Sequence, residues 1–180
     1  DQVGQPKASA LARRLAAAFP HLQGVSAVDQ PLTLATVDSL AGRDLVVNTT
    51  GEWSVDSLVN ACQRIGGVGT VLYSWLEPHA AAAHAVTIPP SGACLRCHMA
   101  STGVPELAVS QWEGGGAIAT PSCGGTFAPY GAVELAFAHA LVAGQALEAL
   151  LAPVADSRHA AWIGRTANWQ RLGGSLSPAW

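Results

Sequence analysis

The sequence has few charged residues for its length, and this shortage limits the partners that we expect. Charged side chains make up 12% of its 180 residues, with 9 Lys and Arg against 12 Asp and Glu. So few cationic side chains form no basic stripe able to neutralise a row of phosphates, so we expect no nucleic-acid partner. Hydrophobic residues make up 49%. Because so much apolar surface has little charge to cover it, we expect a homodimer.

The sequence also lacks the pattern of an export signal. Its first fifteen residues do not contain a basic segment followed by an apolar segment and a cleavage site. The longest apolar stretch, 132–151, contains Glu134, His139 and Glu148, and a bilayer would penalise each charge by a few kcal/mol. We therefore expect a cytoplasmic protein with a core helix here and no membrane contact. Its four cysteines are then expected to be thiols or metal ligands rather than disulfides.

No G-x-G-x-x-G motif occurs, although the remaining pattern is that of an α/β fold. Short apolar runs alternate with helical periodicity, which is typical of alternating strands and helices. The runs cover 24–28, 44–50, 68–76 and 81–88, and the helices cover 8–19, 55–65 and 132–151. Runs that are apolar on both faces favour a Rossmann-like, mostly parallel sheet with flanking helices, turning partly antiparallel near its end. Because a doubly wound nucleotide site normally opens with the missing Gly-rich turn, we expect the later half of such a domain.

We expect one partial domain over residues 1–180, in three parts. Residues 1–90 form the αβ units of the sheet, 91–130 form a crossover loop that contains cysteines, and 131–180 form the long helix and C-terminal strands. The loop is rich in Gly, Ser, Thr and Pro and shows little periodicity. An irregular segment of this length inside a compact domain is usually functional or mobile.

Four segments resemble, in order and spacing, the later part of the E1-like adenylating enzymes. They are DQVGQPKASALARRLAAAFP, DLVVNTTGEW, GACLRCHM and PSCGGTFAPYGAVELAFAHALVAGQALEALL. The family includes ubiquitin-activating enzymes and the bacterial activators of sulfur-carrier proteins. The resemblance implies adenylation of the C-terminal carboxylate of a ubiquitin-like or sulfur-carrier protein with ATP and Mg²⁺, followed in many members by capture on a cysteine. It also implies an E2-like protein or an N-terminal adenylation segment as a partner.

The resemblance implies nucleotide and magnesium contacts for Lys7, Thr50 and Glu52. Lys7 falls on the family lysine that contacts the phosphates, as a point cation near a helix start can; a solvated surface lysine is the alternative. Thr50 follows a strand end, where ligands bind in open α/β sheets. The family usually has an aspartate at the place of Gly51. Glu52 either supplies the Mg²⁺ carboxylate from a shifted position or is an exposed residue at a helix start.

Cys94 and Cys97 have the C-x₂-C spacing of half a zinc site, in which two thiolates on one turn meet one ion. The second C-x₂-C pair that the family places near the C-terminus does not occur in this sequence. His98, His159 or Cys123 would have to complete an irregular Zn²⁺ site. A pair of reduced thiols is the alternative, and a thiol-redox module built on this pair ranks as the third class of function.

Cys123 lies in Pro-Ser-Cys-Gly-Gly-Thr, between the irregular stretch and the long helix. Its small neighbours leave the thiol accessible, and an adjacent helix N-terminus favours the thiolate. Its position resembles the crossover-loop cysteine of E1-like proteins, which implies a catalytic nucleophile that takes the activated carboxyl as a thioester. The main alternative to an enzyme is a non-catalytic E1-like scaffold that provides dimerisation and carrier-protein docking.

Overall fold

The computed structural model divides the chain into two compact units, Asp1–Thr36 and Val37–Trp180. The residues that it describes are 4–116, 118–119, 126–127, 129–152 and 154–180.

The first unit consists of helix α1 (Lys7–Ala18) and a following segment without regular secondary structure. The segment returns to the helix at Asp29, whose carboxylate accepts hydrogen bonds from the backbone N–H and hydroxyl of Ser9. The strand predicted over 24–28 is wrong, because the described residues of this unit contain no strand with which it could pair. Val28 is accordingly exposed.

The second unit is built on a four-stranded sheet with strand order β1-β2-β3-β7. Its elements, in chain order, are β1 (Leu45–Asn48), α2 (Trp53–Arg64), β2 (Thr70–Leu76), β3 (Ala82–Ile88), β4 (Ser110–Trp112), β5 (Ile118–Ala119), β6 (Thr126–Phe127), α3 (Ala132–Leu151), β7 (Arg158–Ile163), α4 (Thr166–Gln170) and β8 (Gly174–Leu176). Strand β4 pairs with β8, and β5 pairs with β6, both in antiparallel fashion. Short 3₁₀ turns include Pro78–Ala80 and Leu95–Cys97.

The expected α/β class is confirmed, but the four-stranded sheet is mostly antiparallel rather than mostly parallel. Strands β1 and β2 run parallel and are joined through α2. The β2–β3 and β3–β7 pairs are antiparallel. The physical reason is the connection after β2, where residues 77–81 alone separate the strands. A parallel crossover needs about a dozen residues or more, so this link allows only an antiparallel return.

The two faces of this sheet are covered by different elements. Because successive strand residues point to opposite faces, the register places Asn48, Trp75, His84 and His159 on one face. Helix α2 lies on that face, since Asn48 hydrogen-bonds to one of its residues. Helix α3 packs on the opposite face, where Phe137 stacks on Trp162 with ring centroids 5.1 Å apart. The fully buried strand residues between the two layers include Val71, Leu72, Ala83, Ala85 and Val86.

Helix α3 has the predicted bounds but is not the core helix that its composition predicts. Ala138 is its one buried residue, while Val133, Phe137 and Leu151 are exposed. The helix meets the sheet along a narrow side, and the described elements form no second layer over its outer side. Helix α3 is also long and apolar enough to cross a membrane. A single helix of this kind is weak evidence for a span, since core helices can have the same length and composition.

Candidate functional site

A polar cluster of Asn48, Thr50 and Asp56 lies where β1 ends and α2 begins. Asn48 Nδ2 donates to Asp56 Oδ1 at 3.0 Å, and Thr50 Oγ1 lies 3.1 Å from both Asp56 Oδ1 and Asn48 Oδ1. Gly51, with φ +65°, provides the left-handed turn between strand and helix. We call Asn48, Thr50 and Asp56 the Asp56 cluster. It lies at the carboxyl end of a parallel strand, the usual ligand position in open α/β sheets.

A cavity of about 190 Å³ adjoins the Asp56 cluster. Its walls combine the Asp56 carboxyl group with large apolar side chains and glycines. The lining residues are Gly51, Trp53, Asp56, Trp75, Leu76, Met99, Gly103 and Pro105. Cavities for drug-sized ligands run from about 300 to 1,000 Å³, so this one suits a small polar group or hydrated cation rather than a whole nucleotide.

Burial is the main influence on the pKa of Asp56. Burial raises the pKa of Asp56 above its ordinary value, although the hydrogen bonds from Thr50 and Asn48 oppose this and the Glu52 charge adds to it. Both hydrogen bonds end on Oδ1, so Oδ2 has no hydrogen-bond partner within the described part of the chain. A cation bound at this carboxyl group would offset the cost of ionising it.

The structure brings together some of the residues that the sequence singled out, but not all of them. The backbone N–H of Glu52 donates to Thr50 Oγ1 at 3.3 Å, whereas the Glu52 side chain is exposed and makes no hydrogen bond to a described residue. Lys7 is an exposed first residue of α1, in the other unit. Cys123 lies outside the described residues.

Asp56, the carboxylate that joins this turn, was missed by the sequence analysis. A helical aspartate eight residues after the last residue of β1 was a weak signal that could have found it. An Asp in the first turn of a helix is usually explained by the helix dipole alone.

The thiols of Cys94 and Cys97 lie together on the turn before residue 98, with 3.8 Å between their sulfur atoms. Burial raises the pKa of the Cys94 thiol, but hydrogen bonds from Cys97 and from the backbone N–H groups of Arg96 and Cys97, with the nearby Arg64 cation, leave it below the ordinary value. Among the described residues no group of three or more His, Cys, Asp or Glu side chains could hold a metal ion. Within the described ranges, the structure therefore brings together Cys94 and Cys97 of the predicted zinc site and no further ligand, while Cys123 lies outside those ranges.

A second polar group crosses the same face of the sheet, and of its members the sequence analysis named only His159, as a possible zinc ligand. Glu77 Oε1 lies 2.7 Å from His84 Nε2, and His84 Nδ1 lies 2.8 Å from His159 Nε2. His84 is fully buried, and Trp75 stacks on it at 4.9 Å between ring centroids. Trp75 also lines the cavity beside Asp56, so one indole separates the two polar groups. We call Glu77, His84 and His159 the Glu77–histidine chain.

Hydrogen bonds keep Glu77 ionised. Its carboxylate also accepts from the backbone N–H groups of Val109 at 2.6 Å and Ser110 at 2.8 Å, and from the Ser110 hydroxyl. Burial alone raises the pKa of Glu77, but the bonds from His84, Ser110 and Val109 outweigh it and hold the pKa below its ordinary value. Burial, followed by the neighbouring His84 and His98, lowers the pKa of His159 to about 4.

The opposite face carries an apolar groove of about 860 Å³ between α3, β7 and α4. Tyr130, Val133, Phe137 and Leu172 line it and are all more than half exposed. Its polar lining residues include Glu134 and Arg165. This surface is larger and more apolar than the cavity beside Asp56.

Comparison with models of protein families and with curated proteins gave no match to this sequence. The resemblance to the E1-like family therefore stays a prediction from the four sequence segments.

Proposed function

We propose that this chain contributes the later half of an E1-like adenylation site, with the Asp56 cluster as its cation-binding end. The observation that carries the proposal is a buried carboxyl group, with a hydroxyl and an amide, at the carboxyl end of a parallel strand. The family usually has an aspartate at the position of Gly51, and in our proposal the carboxyl group of Asp56 takes the place of that aspartate. Asp56 takes the role that the sequence analysis gave to Glu52.

The donor set of this cluster suits Mg²⁺, which prefers carboxylate, hydroxyl and amide oxygens and needs only one or two protein carboxylates. Asp56, Thr50 and Asn48 would hold the ion, which would supply positive charge to offset that of the ATP phosphates. Binding would favour the ionised form of Asp56, whose pKa burial raises. Asn48 Nδ2 and Thr50 Oγ1, both bonded to Oδ1, keep the carboxyl plane in position while this happens.

The size of the cavity suggests what it would contact. A volume of about 190 Å³ fits the end of an extended peptide or one phosphoryl group better than a nucleoside. The reaction joins a carrier carboxylate oxygen to the α-phosphorus of ATP and releases pyrophosphate. The walls of Trp53 and Trp75 would exclude water from the activated carboxyl. The roles of Lys7 as phosphate contact and of Cys123 as thioester nucleophile remain predictions from the sequence.

Metal binding by the 180-residue chain tests the cation-binding end directly. Mn²⁺, used in place of Mg²⁺, is titrated while free Mn²⁺ is followed by electron paramagnetic resonance. Asp56→Asn should weaken binding by about tenfold or more, whereas Glu52→Gln, which removes the same charge nearby, should change it by less than about twofold. Equal losses in the two variants, or no binding by the unmodified chain, would contradict the assignment.

Adenylation itself is tested by ATP–pyrophosphate exchange in the protein that contains this sequence, with its cognate carrier protein. The expected result is carrier-dependent exchange that Asp56→Asn lowers and Glu52→Gln does not. Absence of exchange in the unmodified protein would favour the scaffold described next.

The second candidate function is a non-catalytic scaffold, and the exposed apolar side of α3 favours it. Large apolar patches on a soluble protein commonly mark contacts with other chains. Under this hypothesis, the groove beside Phe137 is the surface through which the chain dimerises or binds the carrier protein. Phe137→Asp should then convert a sedimenting dimer to monomer, while His139→Asp, on the same helix, should leave the dimer intact. An unmodified chain that sediments as a monomer at a concentration of roughly tens of micromolar would count against dimerisation.

A further inference from the structure

The turn that carries Cys94 and Cys97 has no part in the proposed adenylation site. Cys97 is exposed and Cys94 is partly exposed, so reagents in solution can reach both thiols. Their sulfur atoms are 3.8 Å apart, about van der Waals contact. Two thiols held this close can react with each other through one oxidant, and a zinc site would need further ligands that the described residues do not place beside them.

The backbone of this turn is held in place by hydrogen bonds to α2. Leu95 is fully buried, and its N–H donates to the buried side chain of Asn60 at 2.8 Å. Arg96 Nη2 donates to Ser57 Oγ at 3.0 Å. Both acceptors belong to α2. The two thiols therefore face each other because the residues between them are fastened to a helix, and a close, fixed pair has a high effective concentration.

We propose that Cys94 and Cys97 form a redox-active dithiol, which exchanges with low-molecular-weight disulfides and closes to an intramolecular disulfide. This activity goes beyond the proposed adenylation and does not depend on it. Closure requires the sulfur atoms to move from 3.8 Å to a bond of about 2.05 Å. The intervening residues lie on one short 3₁₀ turn, so side-chain rotation supplies part of this movement.

The exchange balances in two steps. One thiolate of the pair attacks a sulfur of the low-molecular-weight disulfide, forming a mixed disulfide and expelling one small thiolate. The second cysteine, as thiolate, then attacks the protein sulfur of that mixed disulfide and expels the second small thiolate. The pair loses two electrons and two protons, and the small disulfide gains them. Excess small thiol reverses both steps.

The experiment uses the 180-residue chain with Cys62→Ser and Cys123→Ser, which leaves the pair as the only thiols. The reduced chain is incubated with glutathione disulfide and glutathione at graded ratios, quenched with iodoacetamide and weighed intact. The expected product is a chain lighter by about 2 Da that no longer takes up iodoacetamide, and dithiothreitol should restore two alkylation sites.

Single replacements in this background test the mechanism. Cys97→Ser or Cys94→Ser should stop the closure and accumulate a mixed disulfide heavier by about 305 Da, the mass of one glutathionyl group. Thermal melts of the reduced variants that match the parent show that the replacements leave the fold intact. Stable double glutathionylation of the parent would overturn the proposal. So would stoichiometric zinc in the chain as purified that disappears in both single variants, because the thiols would then be ligands.

Discussion

The imidazole rings of His84 and His159 share one hydrogen bond, between Nδ1 of the first and Nε2 of the second, at 2.8 Å. Since Glu77 is ionised, its bond to His84 Nε2 requires a hydrogen on that nitrogen. When both rings are neutral, His84 Nδ1 is then the acceptor and His159 Nε2 is the donor. One buried carboxylate thus determines the tautomers of two rings that lie far apart in the sequence.

Acid should weaken the fold through His159. Its pKa falls from 6.5 in the unfolded chain to about 4 in the folded one, so between these values the unfolded chain binds more protons. Stability should therefore fall as the pH drops from 6.5 towards 4. Urea midpoints measured across this range should fall less steeply for His159→Gln, whose amide can still donate to His84. His139→Gln, at an exposed site on α3, should keep the parent slope, and equal slopes for the two variants would contradict the assignment.

Glu77 should be among the most sensitive positions for stability. Glu77→Ala leaves His84, Val109 and Ser110 without their shared acceptor, and breaking a buried pair of this kind costs about 3–5 kcal/mol. Glu148→Ala is the matched control, since its ion pair with Arg158 spans 3.9 Å on the surface and is worth less than about 1 kcal/mol. Equilibrium urea unfolding measures both. Similar losses in the two variants would show that the Glu77–histidine chain adds no stability.

Gly103 should not tolerate a side chain, because a Cβ there would lie 2.7 Å from Cδ2 of Trp53 and φ is +82°. Gly103→Ala must push Trp53 out of the cavity wall or strain the backbone, and overpacking costs about 1–3 kcal/mol. Gly144→Ala provides the contrast, since a Cβ at that helical position meets nothing within 4 Å and should stabilise α3 by about 0.5–1 kcal/mol. Thermal unfolding with tryptophan fluorescence reports both effects. Unchanged stability in Gly103→Ala would show that the wall yields freely.

Cys123 stays a sequence-based prediction and is tested by trapping. With ATP and the cognate carrier, the protein that contains this sequence should form a carrier adduct sensitive to reducing thiols. Cys123→Ser should abolish the adduct yet preserve carrier-dependent pyrophosphate release, because adenylation precedes capture. An adduct that persists in this variant and disappears in Cys94→Ser would move the nucleophile to the C-x₂-C turn.

Local pattern was enough to locate most of the secondary structure. Helix α3 has the predicted bounds, and β3 begins one residue after its predicted start, because sustained apolar runs are local properties. Strand direction is not local: the apolar runs of a buried antiparallel strand look like those of a parallel one. The shortness of residues 77–81 was the available signal, and it was outweighed by the apolar pattern.

The candidate site was predicted in part, for a similar reason. Thr50 was located by its place after a strand, and the Cys94–Cys97 pair by its spacing. His84 and His159 are 75 residues apart and meet only because β3 pairs with β7. No short motif connects them. Such a contact requires the register of the sheet, which single-sequence reasoning does not provide.

The narrow contact between α3 and the sheet has a calorimetric consequence. The heat capacity of unfolding grows with the apolar surface that is newly exposed, and residues such as Val133, Leu147 and Leu151 are already exposed in the folded chain. They add little to that increment. The isolated chain should therefore have a flatter stability curve, and a weaker dependence on urea, than its length alone suggests. A partner that covers this side of α3 would add apolar area for unfolding to expose. Thermal unfolding and urea unfolding of the complex should therefore both be sharper than those of the isolated chain.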